Sequence, residues 1–246
     1  MKCIILAAGY ATRLYPLTEN YPKPLLEVKG QTILDWIIDD LENTKRINEY
    51  IIVSNHKYVN FFEKWLQSKN IKAKITIIDD GTIDNDHRLG ALVDISLAVN
   101  KLNINEETMV VAGDNLTDFS LSGFINYFDI KKCSCIMRYF ELDKKRIYKS
   151  ASVKIDENDL VLEMIEKPDC PNSNWCVPPF YIYTKDDIKQ IDAALKNNCI
   201  KDSPGSFVSY LYKYSKMYAM EMPGKRYDIG TIENYETIKN NYKGIK

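Results

Sequence analysis

Long hydrophobic runs are missing from this sequence. Among its 246 residues, no apolar stretch approaches the roughly 18 residues that a membrane-spanning helix needs. The apolar run at the amino terminus is about half as long as the hydrophobic region of a secretory leader, and Gly9 and Arg13 follow it directly. We therefore expect a soluble, cytoplasmic protein without a membrane partner.

Neither sign of charge is in excess. The chain carries 33 Lys and Arg residues against 34 Asp and Glu residues, for a formal net charge of -1, and neither sign gathers into a long block. A protein that follows a nucleic-acid backbone usually shows a basic excess. Nucleic acid is therefore not expected as a partner.

Histidine is scarce, and the cysteines are scattered. His56 and His87 are the two histidines, and the six cysteines include no CxxC pair. The sequence therefore gives no support for a zinc site, and free thiols in a reducing compartment are expected.

Short apolar runs alternate with helical patterns in the first half of the chain. The runs at residues 2–7, 49–53, 74–78 and 109–112 are typical of buried parallel strands. Between them, apolar residues recur at a spacing near 3.6 in residues 33–41, 61–66 and 92–99, which indicates helices. Strands that alternate with helices predict a doubly wound α/β sheet.

The second half of the chain has a different rhythm. Strand-like stretches occur at residues 133–138, 151–155, 161–165 and 175–183, and helical stretches at 188–195, 206–214 and 232–242. No internal repeat, low-complexity tract or linker interrupts the chain. We therefore expect a single domain over residues 1–246, whose second half extends the sheet.

The first chemically informative segment follows the first predicted strand. Residues 6–18, LAAGYATRLYPLT, form a loop of small residues in which Ala and Gly allow a polyphosphate close to backbone N–H groups. Arg13 then offers a guanidinium that can hold phosphate oxygens at two points. Further on, Lys23 stands between Pro22 and Pro24, whose fixed φ angles direct its ammonium group.

Residues 6–34 together resemble the signature of the sugar-phosphate nucleotidyltransferases, LAAGxxTRLxPLTxxxPKPLLxVxGxxIL, almost position by position. The resemblance implies a three-layer, Rossmann-like α/β fold, also described as GT-A-like, with a mixed, mainly parallel sheet. It also implies a nucleotide-binding half at about residues 1–125 and an acceptor-binding half at about 126–246. The resemblance further implies that the loop of Leu6, Ala7, Ala8 and Gly9 contacts the base and ribose, and that Arg13 and Lys23 bind the triphosphate and act in catalysis.

Two isolated aspartates lie far apart in the sequence. Asp114 ends the run VVAGD, which places it at the carboxyl edge of the predicted sheet, and Asp228 stands in YDIGT before a predicted helix. Both resemble the metal-binding aspartates of the family, and Asp114 is also expected to contact the nucleotide. Two carboxylates with phosphate oxygens and waters suit Mg2+. Taken singly, each aspartate would more often be a helix cap or a turn residue than a metal ligand.

A third motif, Glu166-Lys167-Pro168, resembles the acceptor-binding element of the family. The resemblance implies that Glu166 binds acceptor hydroxyls and that Lys167 binds the acceptor phosphate and orients it for catalysis. Such a lysine would offset the repulsion between two anionic phosphates. A plain pair of charges at a strand end is the alternative interpretation.

Two segments depart from the family pattern. Relatives that use dTTP or UTP carry a Gln-Pro and a Gly-Leu-Ala-Gln element near residues 79–95, whereas this chain has a charged insertion at 79–88 followed by Gly90-Ala91-Leu92. Gly90 is the expected nucleotide contact there, and the base stays open. Asp84-Asn85-Asp86 could form a DxD metal motif, but no strand leads into it, so a solvated loop is expected, with His87 as a loop residue. Pro179 stands where sugar-using relatives have glycine, so the family pattern does not define the acceptor pocket of this chain.

The sequence thus predicts a Mg2+-dependent enzyme that transfers a nucleoside monophosphate from an NTP to a phosphorylated small molecule, such as a sugar 1-phosphate. A cytidylyltransferase that acts on a phosphorylated alcohol or amino-alcohol is the nearest alternative. A non-catalytic nucleotide-sensing subunit and a glycosyltransferase with the same core are the rivals from other classes. Oligomeric state cannot be read from the sequence.

Overall fold

The computed structural model describes every residue from Met1 to Lys246. Fourteen strands are present, in chain order β1 (Lys2–Leu6), β2 (Glu27–Val28), β3 (Gln31–Thr32), β4 (Glu49–Ser54), β5 (Lys74–Asp79), β6 (Thr108–Ala112), β7 (Asn115–Thr117), β8 (Ser134–Phe140), β9 (Ala151–Ile155), β10 (Val161–Glu166), β11 (Trp175–Val177), β12 (Phe180–Tyr183), β13 (Met217–Glu221) and β14 (Arg226–Asp228). The helices are α1 (Ile33–Asn43), α2 (Val59–Gln67), α3 (Ala91–Lys101), α4 (Ser122–Lys131), α5 (Lys144–Ile147), α6 (Lys185–Ile188), α7 (Ile191–Lys196), α8 (Gly205–Leu211) and α9 (Ile232–Asn241), with two short 3-10 helices at Thr12–Leu14 and Lys23–Leu25.

The chain forms two compact units. The first unit consists of residues 1–89, 112–122 and 223–246, and the second consists of residues 90–111 and 123–222. Each unit is therefore assembled from separate stretches of the chain. The single domain expected from the sequence, with its two halves, stays a prediction.

Parallel strands form the centre of the first unit. Strand β4 lies between β1 and β5 and pairs with both in parallel, with Ile4 opposite Ile51 and Ile52 opposite Ile77. All six residues of β4 are buried, as expected for a strand covered on both faces. The runs at 2–7, 49–53 and 74–78 are thus confirmed as parallel strands, whose carboxyl ends share one edge.

Helix α1 of the first unit shows how strongly the local sequence specifies an element. The Thr32 hydroxyl accepts a hydrogen bond from the Asp35 N–H, and the Asp35 carboxylate accepts one from the Thr32 N–H. This reciprocal capping satisfies two backbone donors at the start of the helix. Ile33, Leu34 and Ile38 then lie fully buried.

The second unit contains a mixed sheet. Its strands follow the order β10-β9-β11-β8-β12-β6, and β13 pairs with β8. The β13–β8 pair is parallel, whereas the other pairs in the order are antiparallel. The strand-like runs at 133–138, 151–155 and 161–165 are confirmed as β8, β9 and β10 within a residue or two at each end.

Several elements of the second half were predicted wrongly from the sequence or were missed. Residues 175–183 form two strands, β11 and β12, because Pro178 and Pro179 have no N–H to donate to a sheet. The predicted helix 188–195 is divided between α6 and α7. Helix α4 was missed because apolar residues occur on more than one of its faces: Phe124 is buried, but Ile130 is 78% exposed. None of the helices has the length and apolar content required to cross a membrane.

Candidate active site

The loop after β1 is fixed by neighbouring strand ends of the first unit. The Ala7 N–H donates to the Val53 carbonyl at 2.9 Å, and the Asn55 side-chain amide donates to the Ala8 carbonyl at 2.9 Å. Ala7 and Ala8 are buried, Leu6 is half-buried and Gly9 is exposed. The loop therefore reaches solvent at Gly9, at the carboxyl edge of the parallel strands, where α/β sheets bind ligands.

The next turn places Arg13. Ala11 adopts a left-handed conformation with φ 47°, and its carbonyl accepts a hydrogen bond from the Thr18 hydroxyl at 2.8 Å. Arg13 lies exposed in the 3-10 helix that follows. Its Nη1 atom lies 4.0 Å from the point where a Cβ on Gly230 would stand. The guanidinium thus lies beside the segment that carries Asp228.

Lys23 is almost completely buried in spite of its charge. Its side chain is 8% exposed, and its Nζ lies 2.6 Å from Asp114 Oδ2 and 3.8 Å from Asp228 Oδ1. A buried ammonium is stable only when anionic groups compensate it. Two carboxylates that are distant in sequence therefore lie next to one lysine, and we call Asp114 and Asp228 the carboxylate pair.

A short antiparallel pairing brings the carboxylate pair together. Strand β14 pairs with β7, so that Asp228 lies directly opposite Asn115, the residue after Asp114. Gly113 permits the close approach of this segment to β1, because a Cβ on it would stand 3.1 Å from both Ile5 Cγ2 and the Leu6 carbonyl oxygen. The convergence of the two motifs is thus a consequence of strand pairing.

The electrostatic environment favours an ionised carboxylate at Asp114. Burial raises the pKa of the Asp114 carboxyl, but the nearby Lys23 ammonium and the Arg226 guanidinium lower it by more, so the pKa lies below its usual range. The Asp114 side chain is 35% exposed and that of Asp228 is 52% exposed. Asp114 is therefore held in its ionised form, and both carboxylates of the pair are accessible.

Two residues of this cluster were missed in the sequence. The Arg226 guanidinium donates to Asn115 Oδ1 at 2.6 Å, and Asn115 Nδ2 donates to Asp114 Oδ1 at 2.6 Å. Their only sequence signal was adjacency, because Asn115 follows Asp114 and Arg226 stands two residues before Asp228. Sequence spacing alone did not show that the two side chains would meet.

The donor set of the carboxylate pair fits a hard divalent cation. Both carboxylates lie beside the same Lys23 ammonium, and Mg2+ is typically bound through one or two carboxylates with phosphate oxygens and waters as its other ligands. The chain has no group of three or more His, Cys, Asp or Glu side chains placed to hold a metal ion. The two carboxylates would supply part of a Mg2+ ligand shell, and phosphate oxygens and waters would supply the rest.

The predicted acceptor residues lie in the second unit. Glu166 ends β10, and burial raises the pKa of its carboxyl against smaller opposing effects of Lys167 and the Ser203 hydroxyl. Gly205 leaves room for this carboxylate, since a Cβ there would collide with Glu166 Oε2. Lys167 follows in a left-handed conformation with φ 47°, and its side chain is exposed. Nothing in this geometry tests the acceptor roles, which stay predictions.

Gly90 also lies in the second unit, immediately before α3. Its φ is 96°, and a Cβ on it would stand 2.7 Å from the Lys201 carbonyl carbon and oxygen. The packing of this glycine against backbone gives a structural reason for its identity. Its predicted contact with the nucleotide stays a prediction.

The charged insertion at residues 79–88 is organised by its own side chains. Asp79 Oδ2 lies 2.6 Å from His56 Nδ1, and the Thr82 hydroxyl lies 3.0 Å from the Tyr10 hydroxyl. Asp84 accepts hydrogen bonds from the His87 and Asp86 N–H groups, both at 3.0 Å. The carboxylate of Asp84 therefore stabilises the turn of the loop, in agreement with the loop interpretation of Asp84-Asn85-Asp86.

Comparison with known proteins identifies the family. The family model described as "Nucleotidyl transferase" matches residues 2–244, and the chain belongs to this family. It is 26% identical over 253 aligned positions to the glucose-1-phosphate adenylyltransferase of Fervidobacterium nodosum, covering 94% of this chain and 59% of that protein. It is 27% identical over 184 positions to the UTP–glucose-1-phosphate uridylyltransferase AglF of Haloferax volcanii, covering 75% and 72%.

The fold is shared with a solved UDP-glucose pyrophosphorylase complexed with UDP-glucose. The TM-score is 0.81 at 23% identity, covering 98% of this chain and 97% of that one. The predicted fold class, a Rossmann-like nucleotidyltransferase fold with a mixed sheet, is therefore confirmed. The chain spans about half of the length of other curated relatives that it matches.

Proposed function

We propose that this chain transfers a nucleoside monophosphate from an NTP to a sugar 1-phosphate and releases pyrophosphate. One observation carries the proposal: the buried Lys23 ammonium lies against both Asp114 and Asp228, and the Arg13 guanidinium lies beside the segment that carries Asp228. Cations and carboxylates in one cluster at a sheet edge suit a site for a triphosphate with its divalent cation. Membership of the nucleotidyl transferase family supports the same chemistry.

In the reaction, a phosphate oxygen of the acceptor attacks the α-phosphorus of the NTP in line with the leaving group. A new P–O bond forms while the bond between the α-phosphorus and its bridging oxygen breaks, and pyrophosphate leaves with that electron pair. A phosphate monoester is largely ionised at neutral pH, so the protein does not need a general base. Its task is to position the reactants and to neutralise charge.

The residues of the first unit divide this task. Arg13 and Lys23 would bind the triphosphate and stabilise negative charge at the α-phosphate and on the leaving group. Asp114 and Asp228 would hold Mg2+, which supplies Lewis-acid neutralisation of the phosphate oxygens when it is bound. In the second unit, Glu166 would bind acceptor hydroxyls and Lys167 the acceptor phosphate.

The similar proteins differ in the nucleotide base that their names specify. One of the two similar proteins is named as an adenylyltransferase and the other as a uridylyltransferase, so similarity does not select one base. Both names specify glucose 1-phosphate, which favours a sugar phosphate acceptor over the phosphorylated amino-alcohol that the sequence also allowed. A cytoplasmic location stays a prediction.

The test is a matrix of five NTPs against sugar 1-phosphates and phosphocholine, with Mg2+, scored by pyrophosphate release. We expect pyrophosphate from one NTP with one or more sugar 1-phosphates. Nucleotide binding without pyrophosphate for any pair would favour a sensing subunit. Release of a nucleoside diphosphate from a nucleotide sugar would instead indicate a glycosyltransferase, and either result contradicts the proposal.

Replacement of Lys23 tests the cation that lies in the carboxylate pair. Removing one preorganised charge from an anion site costs about 10²-fold to 10³-fold in turnover, and we predict this loss for Lys23→Ala, measured as the rate of pyrophosphate release. Lys2→Ala is the matched control, because Lys2 forms an ion pair of the same 2.6 Å length with Glu49 at the opposite end of β1. Nearly wild-type turnover in Lys23→Ala would contradict the role assigned to Lys23.

A further inference from the structure

A buried amide connects the carboxylate pair to a second cation. Asn115 is 3% exposed, and its side chain lies between the Asp114 carboxylate and the Arg226 guanidinium, with 2.6 Å hydrogen bonds on both sides. No role was assigned to this connection in the reaction described above. Its members lie in the first unit, adjacent to the candidate metal ligands.

The chemistry of the three groups fixes the orientation of the amide. A guanidinium can only donate hydrogen bonds, and an ionised carboxylate can only accept them. Asn115 must therefore present its oxygen to Arg226 and its NH2 group to Asp114. Aspartate at this position would set two carboxylates against each other, and leucine would offer neither a donor nor an acceptor.

The amide makes the two oxygens of Asp114 unequal. Oδ1 is held by Asn115, whereas Oδ2 faces Lys23, whose Nζ also lies near Asp228 Oδ1. The oxygen that looks toward the other member of the carboxylate pair is thus Oδ2. Without the hydrogen bond at Oδ1, the carboxylate could rotate about its Cβ–Cγ bond and lose this orientation.

The pairing of β7 with β14 supplies both partners at once. Asp228 lies opposite Asn115, and Arg226 lies opposite Thr117, so the strand that delivers the second carboxylate also delivers the guanidinium. Asp114 is thereby oriented by the same strand that completes the carboxylate pair. An amide and a guanidinium behind a ligand carboxylate match the outer-shell hydrogen bonds that orient metal ligands in general.

We propose that Asn115 and Arg226 are positioning residues, which hold the Asp114 carboxylate so that Oδ2 faces Asp228 and a divalent cation can be bound between them. The inference deepens the proposed function and rests on it, since the cation would accompany the NTP. It assigns no contact between either residue and the substrates. Their effect is exerted through Asp114.

The experiment measures divalent-cation binding directly. Mn2+ is titrated into the wild-type chain, Asn115→Leu and Arg226→Met, and unbound Mn2+ is followed by electron paramagnetic resonance. Loss of an outer-shell partner typically weakens metal affinity roughly 10-fold to 100-fold, and we expect this weakening in both variants. In pyrophosphate assays, the Mg2+ concentration for half-maximal rate should rise by a similar factor, with much of the turnover restored at saturating Mg2+.

Asn172 provides a matched control in the second unit. It accepts a hydrogen bond from the Ser152 hydroxyl at 2.6 Å and donates one to Glu163 at 3.0 Å. Like Asn115, it therefore uses both the oxygen and the NH2 group of its amide. Asn172→Leu should leave Mn2+ affinity unchanged. Arg226→Lys should recover part of the affinity that Arg226→Met loses, because an ammonium can still donate to Asn115 Oδ1.

Unchanged Mn2+ affinity in a folded Asn115→Leu and in Arg226→Met would overturn the proposal, and so would equal weakening in Asn172→Leu. Circular dichroism establishes whether each variant is folded. If Asn115→Leu does not fold, Arg226→Met decides, because the Arg226 side chain is only half-buried. Failure of the proposed function has a different signature: the wild-type chain binds Mn2+ and the variants weaken that binding, but no NTP and acceptor yield pyrophosphate.

Discussion

At the scale of single residues, Lys23 shows how a charge comes to be buried. Prolines flank it, a 3-10 helix begins at it, and two carboxylates compensate its ammonium. Breaking a buried ion pair leaves an uncompensated charge, which destabilises a protein far more than removal of an exposed charge. Replacement of Lys23 should therefore affect stability as well as turnover, and both have to be measured.

Gly90 offers a prediction at the same scale. It has a φ of 96° and backbone atoms 2.7 Å from its would-be Cβ, whereas Gly81 has a φ of 81° and nothing within 4 Å. Gly81→Ala should cost only the strain of a positive φ, about 1–2 kcal/mol of unfolding free energy. Gly90→Ala should cost roughly 3 kcal/mol or more, because strain and a backbone collision act together.

Urea denaturation of both variants measures these two free energies. Equal destabilisation would show that the backbone near Lys201 yields without cost, against our expectation. The comparison also matters for function, because lost nucleotide binding in Gly90→Ala could follow from local distortion. Binding data for this variant are therefore informative only beside its stability.

At the scale of elements, the two ends of the parallel strands carry different groups of residues. The carboxyl end of β1 leads into the loop that reaches solvent at Gly9, and that of β5 leads into the charged insertion, whereas an ion cluster lies at the amino ends. Glu49 begins β4 and receives hydrogen bonds from Lys2 at 2.6 Å and from the Thr76 hydroxyl at 2.6 Å, while Lys74 lies 2.8 Å away. The cluster thus joins the first residues of three strands.

This cluster predicts a pH dependence of stability. Burial raises the pKa of the Glu49 carboxyl, but hydrogen bonds from Lys2, Lys74 and Thr76 lower it by more, to about 2. The pKa of a glutamate carboxyl in an unfolded chain is about 4.3. Because the pKa of Glu49 is lower than this in the folded chain, its carboxylate stabilises the fold at pH values above about 4.3. This contribution to stability disappears as the pH falls toward the folded-state pKa.

The variant Glu49→Gln isolates the effect. We expect Glu49→Gln to be clearly less stable than the wild-type chain at pH 7, and the difference in unfolding free energy should shrink as pH falls from about 4.5 toward 2. Urea denaturation at several pH values measures it, with Glu63→Gln on α2 as an exposed control. A difference that stays constant across this range would contradict the assigned ion cluster.

At the scale of the whole molecule, the first unit is completed by the last part of the chain. Residues 223–246 return to it and supply β14 with Asp228, followed by α9. The Tyr242 hydroxyl donates to the Thr117 carbonyl at 2.8 Å, and the Tyr242 ring meets Trp36 edge to face at a centroid distance of 5.2 Å. The carboxyl-terminal segment is therefore fastened to the strand that follows Asp114.

Replacement of Tyr242 tests how strongly the attachment of the carboxyl-terminal segment stabilises the protein. Tyr242→Phe removes one buried hydrogen bond and should cost about 1 kcal/mol, whereas Tyr242→Ala also opens a cavity and should cost about 3–5 kcal/mol. Thermal unfolding and the Mg2+ dependence of pyrophosphate release are the measurements. If Tyr242→Ala were as stable as Tyr242→Phe, the ring contacts would not hold the segment.

Much of the fold was predictable because its signals are local. Apolar runs identified β1, β4 and β5, and the spacing of apolar residues identified α1 to α3. Both patterns are visible because the buried side chains of one strand or helix come from residues that are close in the sequence. The family signature at residues 6–34 was readable for the same reason. By contrast, β7 and β14 were missed, because three-residue strands carry too little sequence pattern to be recognised.

What the sequence determined by itself was the class of fold, the family and the residue types that could carry chemistry. Only the tertiary structure decided which of them meet. Asp114 and Asp228 lie beside Lys23 because β14 pairs with β7 in one register, and Asn115 and Arg226 join them through the same pairing. Such contacts depend on strand pairing between distant segments, which is set by the packing of the whole unit and leaves no trace in either segment alone.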